Sequence, residues 1–203
     1  MKHMTWAVLI IFSLLATAVG GCANTSARTF NSDLRLWVYI VRTPGATREQ
    51  IGYTPSEAPL EIPECRYWYV EPRGDVDFAE LSAEIRSKDI PGLNLYPAAD
   101  KDIAHLANLT SLKMLDLGET KITDAGLAHL AGLTGLQTLD LRYTAITDAG
   151  LTHLAGLTDL RMLRLWDTEI TDAGLAHLAG LTKLQYLGLR QTKITDAGMA
   201  HLT

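Results

Sequence analysis

The chain has 203 residues, 47% of them hydrophobic and 20% charged, with a formal net charge of −5. That length suits one ordinary domain or a short repeat array with a small extra module, and the mild negative charge argues against a nucleic-acid partner, which calls for a basic patch or stripe. The composition is uneven: all seven prolines lie between Pro44 and Pro97, which separates an apolar start, a proline-containing middle and a repetitive remainder.

The first segment reads as an address. Met1-Lys2-His3 precedes an apolar run from Trp6 to Val19, a pattern of basic start, apolar stretch and small residues that fits a secretory signal peptide. The run is short for a membrane-spanning helix, which needs ~20 apolar residues. It leads into Val19-Gly20-Gly21-Cys22, which resembles the lipobox of bacterial lipoproteins. The resemblance implies a diacylglyceryl group on Cys22, cleavage before it and acylation of the new amino terminus, since several acyl chains anchor far better than one. Residues 1–21 are thus expected to be a signal peptide and residues 22–33 a lipidated cysteine with a polar tether. The exported protein would be anchored at the outer membrane or at the periplasmic face of the inner membrane. With Cys22 lipidated, no disulfide can form within the mature chain, and Cys65 is expected to be a buried thiol.

The middle, residues 34–92, is expected to be a small capping region. Leu34–Val41 and Arg66–Val70 are β-branched and aromatic and predict two strands. The prolines and Gly45 and Gly52 between them predict turns and irregular chain. Phe78, Leu81 and Ile85 fall on one face of a helix that Asp77 can cap. Docked on the first repeat, these elements would cover the apolar end that a repeat array otherwise exposes. Glu57, Glu61, Glu64 and Glu71 read as solvated surface.

From Leu109 the sequence repeats with a period of 24 residues: LTSLKMLDLGETKITDAGLAHLAG, LTGLQTLDLRYTAITDAGLTHLAG, LTDLRMLRLWDTEITDAGLAHLAG and LTKLQYLGLRQTKITDAGMAHLT. A divergent unit from Leu93 to Asn108 precedes them. The Leu115/Leu117 alternation places both leucines on one face of a short strand. Ile122 closes the turn inward. Asp124 precedes a helical stretch and is read as its N-cap. Leu127, Leu130 and Ala131, spaced i, i+3, i+4, would pack on the strands, and Gly132 would end the helix. This pattern resembles the leucine-rich-repeat family, with its LxxLxLxxNxL core and Thr where Asn is usual; the ITDAGLAHLAGLT stretch is similar to planctomycete-type bacterial repeats and to those of F-box and ribonuclease-inhibitor-like proteins. The resemblance implies an α/β solenoid over residues 93–203, with parallel strands on the concave side and helices on the convex side.

Several recurring residues are read as architecture. Thr120, Thr144, Thr168 and Thr192 can satisfy turn backbone. His105, His129, His153, His177 and His201 share one repeat position on the helical side, too far apart for shared zinc ligation. No metal, cofactor or catalytic residue is expected, because no Ser/His/Asp set, phosphate loop or converging acid/base pair is visible. Function should lie where the repeats differ. The variable strand positions carry Asp116, Asp140, Arg142, Tyr143, Arg164, Trp166, Asp167, Tyr186 and Arg190, and the only three aromatic residues of the four full repeats are among them. Trp, Tyr and Arg are enriched at binding hot spots. The expected function is an envelope-anchored, non-enzymatic module that binds a protein partner through this face. A cell-wall glycan binder or an enzyme inhibitor is the alternative, and F-box-like substrate recognition a remote one. The chain stops inside a repeat, which leaves three readings: a poorly capped array, an end-to-end self-association edge, or a fragment.

Overall fold

The computed structural model describes residues 28–42, 47–63, 65 and 67–202. The signal-peptide and Cys22 expectations fall outside these residues. Among them, no helix is long and apolar enough to cross a membrane.

The alternating middle segment folds as its pattern requires. Strand β1 (Arg28–Phe30) pairs with β4 (Leu60–Ile62) in a small antiparallel sheet. Strand β2 (Leu36–Val41) lies antiparallel between β3 (Glu49–Tyr53) and β5 (Tyr67–Pro72). Along β2 the side chains alternate between two environments. Leu36, Val38 and Ile40 enter the main core, while Trp37, Tyr39 and Val41 pack in a separate cluster on the other face. Helix α1 (Phe78–Ser87) starts at Asp77, whose carboxylate accepts from the backbone N–H groups of Ala79 and Glu80. It buries Leu81 and Ile85 and returns the chain so that β6 (Gly92–Asn94) runs parallel to β5 through Val70 and Leu93.

The repeats continue that sheet. β7 (Met114–Asp116), β8 (Thr138–Asp140), β9 (Met162–Arg164) and β10 (Tyr186–Gly188) add in parallel, in register, with Leu93, Leu115, Leu139, Leu163 and Leu187 side by side. The result is one eight-stranded sheet in the order β10-β9-β8-β7-β6-β5-β2-β3. The expected cap is therefore joined by strand addition, and its Leu36, Ile40, Trp68 and Val70 belong to the same core as the repeat leucines. Sharing one core lets a short array bury apolar surface that its first repeat would otherwise expose.

The helical layer consists of single turns: α2 (Asp100–Ile103), α3 (Asp124–Ala128), α4 (Asp148–Leu151) and α5 (Asp172–Leu175), most followed by a 3₁₀ turn. This corrects two expectations. The N-cap is Thr123, Thr147 or Thr171, whose hydroxyl accepts from the N–H two residues on, while the following Asp reaches into the next repeat. Ala131 is exposed, although Leu127 and Leu130 are buried. The backbone tightens after Ala128, with His129 N–H donating to Gly126 O and Leu130 N–H to Leu127 O. At three residues per turn, positions 127 and 130 eclipse and position 131 rotates outward.

Three strands, β1, β3 and β4, lie where irregular chain or tether was expected. Phe30 is 3% exposed and Asn31 bonds to Ser56, so residues 28–32 are part of the folded region. β3 carries Glu49, Gln50 and Gly52, a poor strand sequence, and forms as a sheet edge because β2 offers it a partner. Cys65 is half-buried against the core rather than fully buried.

Candidate functional site

The parallel register stacks equivalent repeat positions into columns across the sheet face opposite the helices. One column runs Asn94, Asp116, Asp140, Arg164 and Gly188. The next, just beyond the strands, runs Gly118, Arg142, Trp166 and Arg190. The residue after that, Glu119, Tyr143, Asp167 or Gln191, has a positive φ of 54–61° in every full repeat. This left-handed conformation is uncommon for residues other than glycine. It sets these four side chains at the rim of the face, where Tyr143 is 46% exposed and Asp167 is exposed.

Asp140 anchors a charged cluster. Arg142 Nε donates to both of its carboxylate oxygens, at 2.7 and 2.8 Å, and Arg164 Nη1 donates to Oδ2 at 3.0 Å. The expectation of an outward Asp140 is corrected by its burial: it is 2% exposed, covered by the arginines it holds. Those arginines are oriented a second time by aromatic rings. The Arg142 guanidinium lies 5.4 Å from the Trp166 ring centroid and that of Arg164 lies 6.0 Å from Tyr186, within the range of cation–π attraction. Trp166 and Tyr186 are half-buried. The Trp166 indole lies against Gly188, where a Cβ would collide with its ring nitrogen. A larger residue at 188 would displace the indole.

Asp116 occupies the equivalent position one repeat earlier, but its surroundings differ. Gly118 stands where the next repeat carries Arg142, so Asp116 has no guanidinium of its own and accepts from the Gly118 backbone N–H at 2.9 Å. Burial pushes its carboxyl up to about 6, and the neighbouring charge of Asp140 adds to the rise. Arg190 is exposed at the far end of the face.

The face does not stop at the repeats. Trp37, Tyr39, Tyr69 and Met114 pack together on the same side of the sheet, and Tyr39 stacks on Tyr69 with centroids 5.2 Å apart. Arg48 lies over Tyr39 and pairs with Glu71 at 3.1 Å. Arg73 lies over both Trp37 and Tyr53. Burial raises the Tyr69 hydroxyl to about 12, against the lowering effect of Arg48. Sequence reasoning confined the binding face to the repeats and missed these cap residues. The signal was present in β2, whose outward positions Trp37 and Tyr39 are too apolar for a solvated face and therefore called for neighbours.

The recurring residues lie elsewhere. The five histidines sit on the helical turns, exposed except for His153, which is half-buried. Among the described residues no group of three or more His, Cys, Asp or Glu is placed to hold a metal ion. The Asp that opens each of these four helical turns bonds to the repeat that follows. Thr147 donates its N–H to Asp124 Oδ1 at 2.8 Å and its hydroxyl to Oδ2 at 2.7 Å, and Asp100–Thr123, Asp148–Thr171 and Asp172–Thr195 repeat the pattern. The threonines at 120, 144, 168 and 192 donate to carbonyls within their own repeat, Thr120 to Leu117 O at 2.6 Å.

Two family models match, both described as leucine-rich repeat, over residues 134–194 and 108–131. No curated protein matches the chain. Among solved structures the chain is similar to an internalin from Listeria monocytogenes, at 26% identity and a TM-score of 0.51, covering 63% of this chain and 36% of the internalin. It is also similar to internalin C2 from the same organism, at 36% identity and a TM-score of 0.51, covering 63% of this chain and 53% of that protein. The chain thus spans about half or less of the length of either relative. With the in-register strands, the helical turns and the 24-residue period, these matches identify the structure as a leucine-rich-repeat α/β solenoid closed at its N-terminal end by a small capping region.

Proposed function

We propose that the protein is a non-enzymatic binding module that takes a protein partner on its sheet face and is held outside the cytoplasm by lipid on Cys22. The observation that carries the binding role is the Arg142–Arg164–Trp166–Tyr186 cluster ordered around buried Asp140. Its side chains are pre-oriented by ion pairs and rings, which lowers the entropic cost of capturing a partner. Arg142, Tyr143, Arg164, Trp166, Asp167, Tyr186 and Arg190 form the contact set, with Asp116 and Asp140 beneath. The likeness to two internalins agrees with an exported binding protein. Stacking on a glycan is less supported, because Arg142 and Arg164 already lie against the Trp166 and Tyr186 rings.

A photo-crosslinking amino acid at position 143 tests the binding role in the native envelope, with one at the exposed helical-side position 128 as control. A specific adduct, identified by mass spectrometry, is expected from 143 and lost with Trp166→Ala. No adduct, or equal adducts from both positions, would remove the reading. Lipid attachment is checked by acyl labelling, which Cys22→Ser should abolish.

A further inference from the structure

The charges of the sheet face are layered, and the layering points to the chemistry of its occupant. The Asp140 side chain is 2% exposed, whereas those of Arg142 and Arg164 are 26% and 35% exposed above it. The carboxylate is beneath and the guanidiniums are outside. Arg142 uses only Nε on Asp140, and Arg164 only Nη1. Among the described residues the remaining guanidinium nitrogens of both have no acceptor. The rings of Trp166 and Tyr186 hold the two planes in place. Fixed guanidinium forks with free N–H groups match a carboxylate in two-point geometry. Arg190 extends the series, exposed and two repeats from Arg142 in the same column. Adjacent parallel strands are ~4.8 Å apart, so this pair spans roughly 10 Å, about the reach of three residues of extended chain.

Resting on the reading that this face binds a protein, we infer that its occupant is an extended acidic segment, with carboxylates seated on Arg142, Arg164 and Arg190 against Trp166 and Tyr186. Asp116 makes the fit sensitive to pH. The groups facing it are Tyr69 from β5, with Arg48 and Glu71 beside that ring; Asn94 from β6; Asp140 and Arg142 from β8 and its turn; and Arg164 from β9. Ionised, Asp116 repels an incoming carboxylate; protonated, it does not. Asp116 lies beside Asp140 in the column that the segment would cross, so an acidic segment binds with proton uptake there and affinity rises as pH falls. Glutamates of the segment stay ionised as Asp116 takes up its proton, since they titrate near 4.3.

The test uses the full mature chain and two labelled nonapeptides, one with glutamate and one with lysine at every third position. Binding is read by fluorescence anisotropy at pH 7.5 and pH 5.5. The glutamate peptide is expected to bind, at least about threefold tighter at the lower pH, and the lysine peptide not to bind. Arg164→Gln should weaken the glutamate peptide about tenfold. Arg190→Gln should weaken it too, and its exposed position keeps that variant folded if Arg164→Gln is not. Asp116→Asn should bind at pH 7.5 as tightly as the unaltered protein does at pH 5.5, with no further pH dependence. Failure of the glutamate peptide to bind, equal binding of the lysine peptide, or indifference to both arginine substitutions would overturn the inference. A specific adduct from position 143 that the glutamate peptide cannot compete away would sink the acidic segment while leaving the binding face intact. Absence of that adduct would remove the binding face itself.

Discussion

Asp116 gives the most direct check on the electrostatics of the sheet face, because its effect on stability can be measured without a partner. Its carboxyl titrates at about 6 in the folded protein against 3.8 when solvated, with burial the main cause and Asp140 the second. Each pH unit between those values is worth about 1.4 kcal/mol, so ionising Asp116 at neutral pH costs the folded state roughly 3 kcal/mol. Because the folded value is raised, the native state binds this proton more tightly than the unfolded chain. Stability is therefore highest below pH 3.8 with respect to this group, declines between about 4 and 6, and is level above. Asp116→Asn removes the charge and keeps an oxygen that accepts from the Gly118 N–H. It leaves untouched the direct arginine bonds, which go to Asp140. Urea unfolding of the unaltered protein and the variant should show the variant more stable by about 2–3 kcal/mol at pH 7.5, with the gap closing toward pH 4. Glu71 is also raised by burial and shapes both curves alike, so the difference between them isolates Asp116. A variant no more stable at pH 7.5, or a gap that persists in acid, would refute the layered-charge account.

The scaffold supports further tests. A Cβ on Gly150 would fall inside the contact radius of Asp124 Oδ1 and come 3.0 Å from Leu127 Cδ1, so Gly150→Ala should destabilise by about 1–3 kcal/mol. Asp124→Ala, which strips two acceptors from Thr147, should cost a similar ~1–3 kcal/mol; the double variant should cost less than the sum, and strict additivity in denaturant unfolding would show that the glycine does not serve the aspartate. Leu139→Ala, fully buried between Leu115 and Leu163, should cost about 2–5 kcal/mol. Ala131→Gln, on the outward-rotated position, should change stability by less than ~0.5 kcal/mol, and a loss as large as that of Leu130→Ala would restore the regular α-helical phase.

What could be read from the sequence was what the repeat copies. Leu115, Leu139, Leu163 and Leu187 announce their strands by period two and their register by period 24. The fold therefore follows from patterning and one stacking rule. The role of the aspartates did not follow, because capping within a helical turn and bonding to the next repeat place the same residue at the same spacing. Only the distance from Asp124 to Thr147 separates them, and the invariant glycines at 126, 150, 174 and 198, each close against an Asp of the preceding repeat, were the unread clue. The cap was half legible: β2 and β5 carry strand composition, whereas β3 depends on β2 for its existence.

The candidate site was legible as a set of positions but not as a circuit. Asp116 and Asp140 look equivalent in sequence, each two residues before the second column. The equivalence breaks because one is followed by Gly118 and the other by Arg142. That difference gives Asp140 the Arg142 guanidinium and leaves Asp116 with a backbone N–H, while Arg164, Asp140's neighbour on the next strand, adds a second guanidinium to Asp140. A repeat protein can thus build a scaffold by copying and a site by failing to copy, and the residues that set the charge of the site are those that differ between neighbours in one column. By the same logic, Gly118→Arg should give Asp116 a guanidinium and lower its titration toward the ordinary carboxylate range. In that background Asp116→Asn should no longer stabilise the protein at pH 7.5; a gain that survives would place the cause in burial alone.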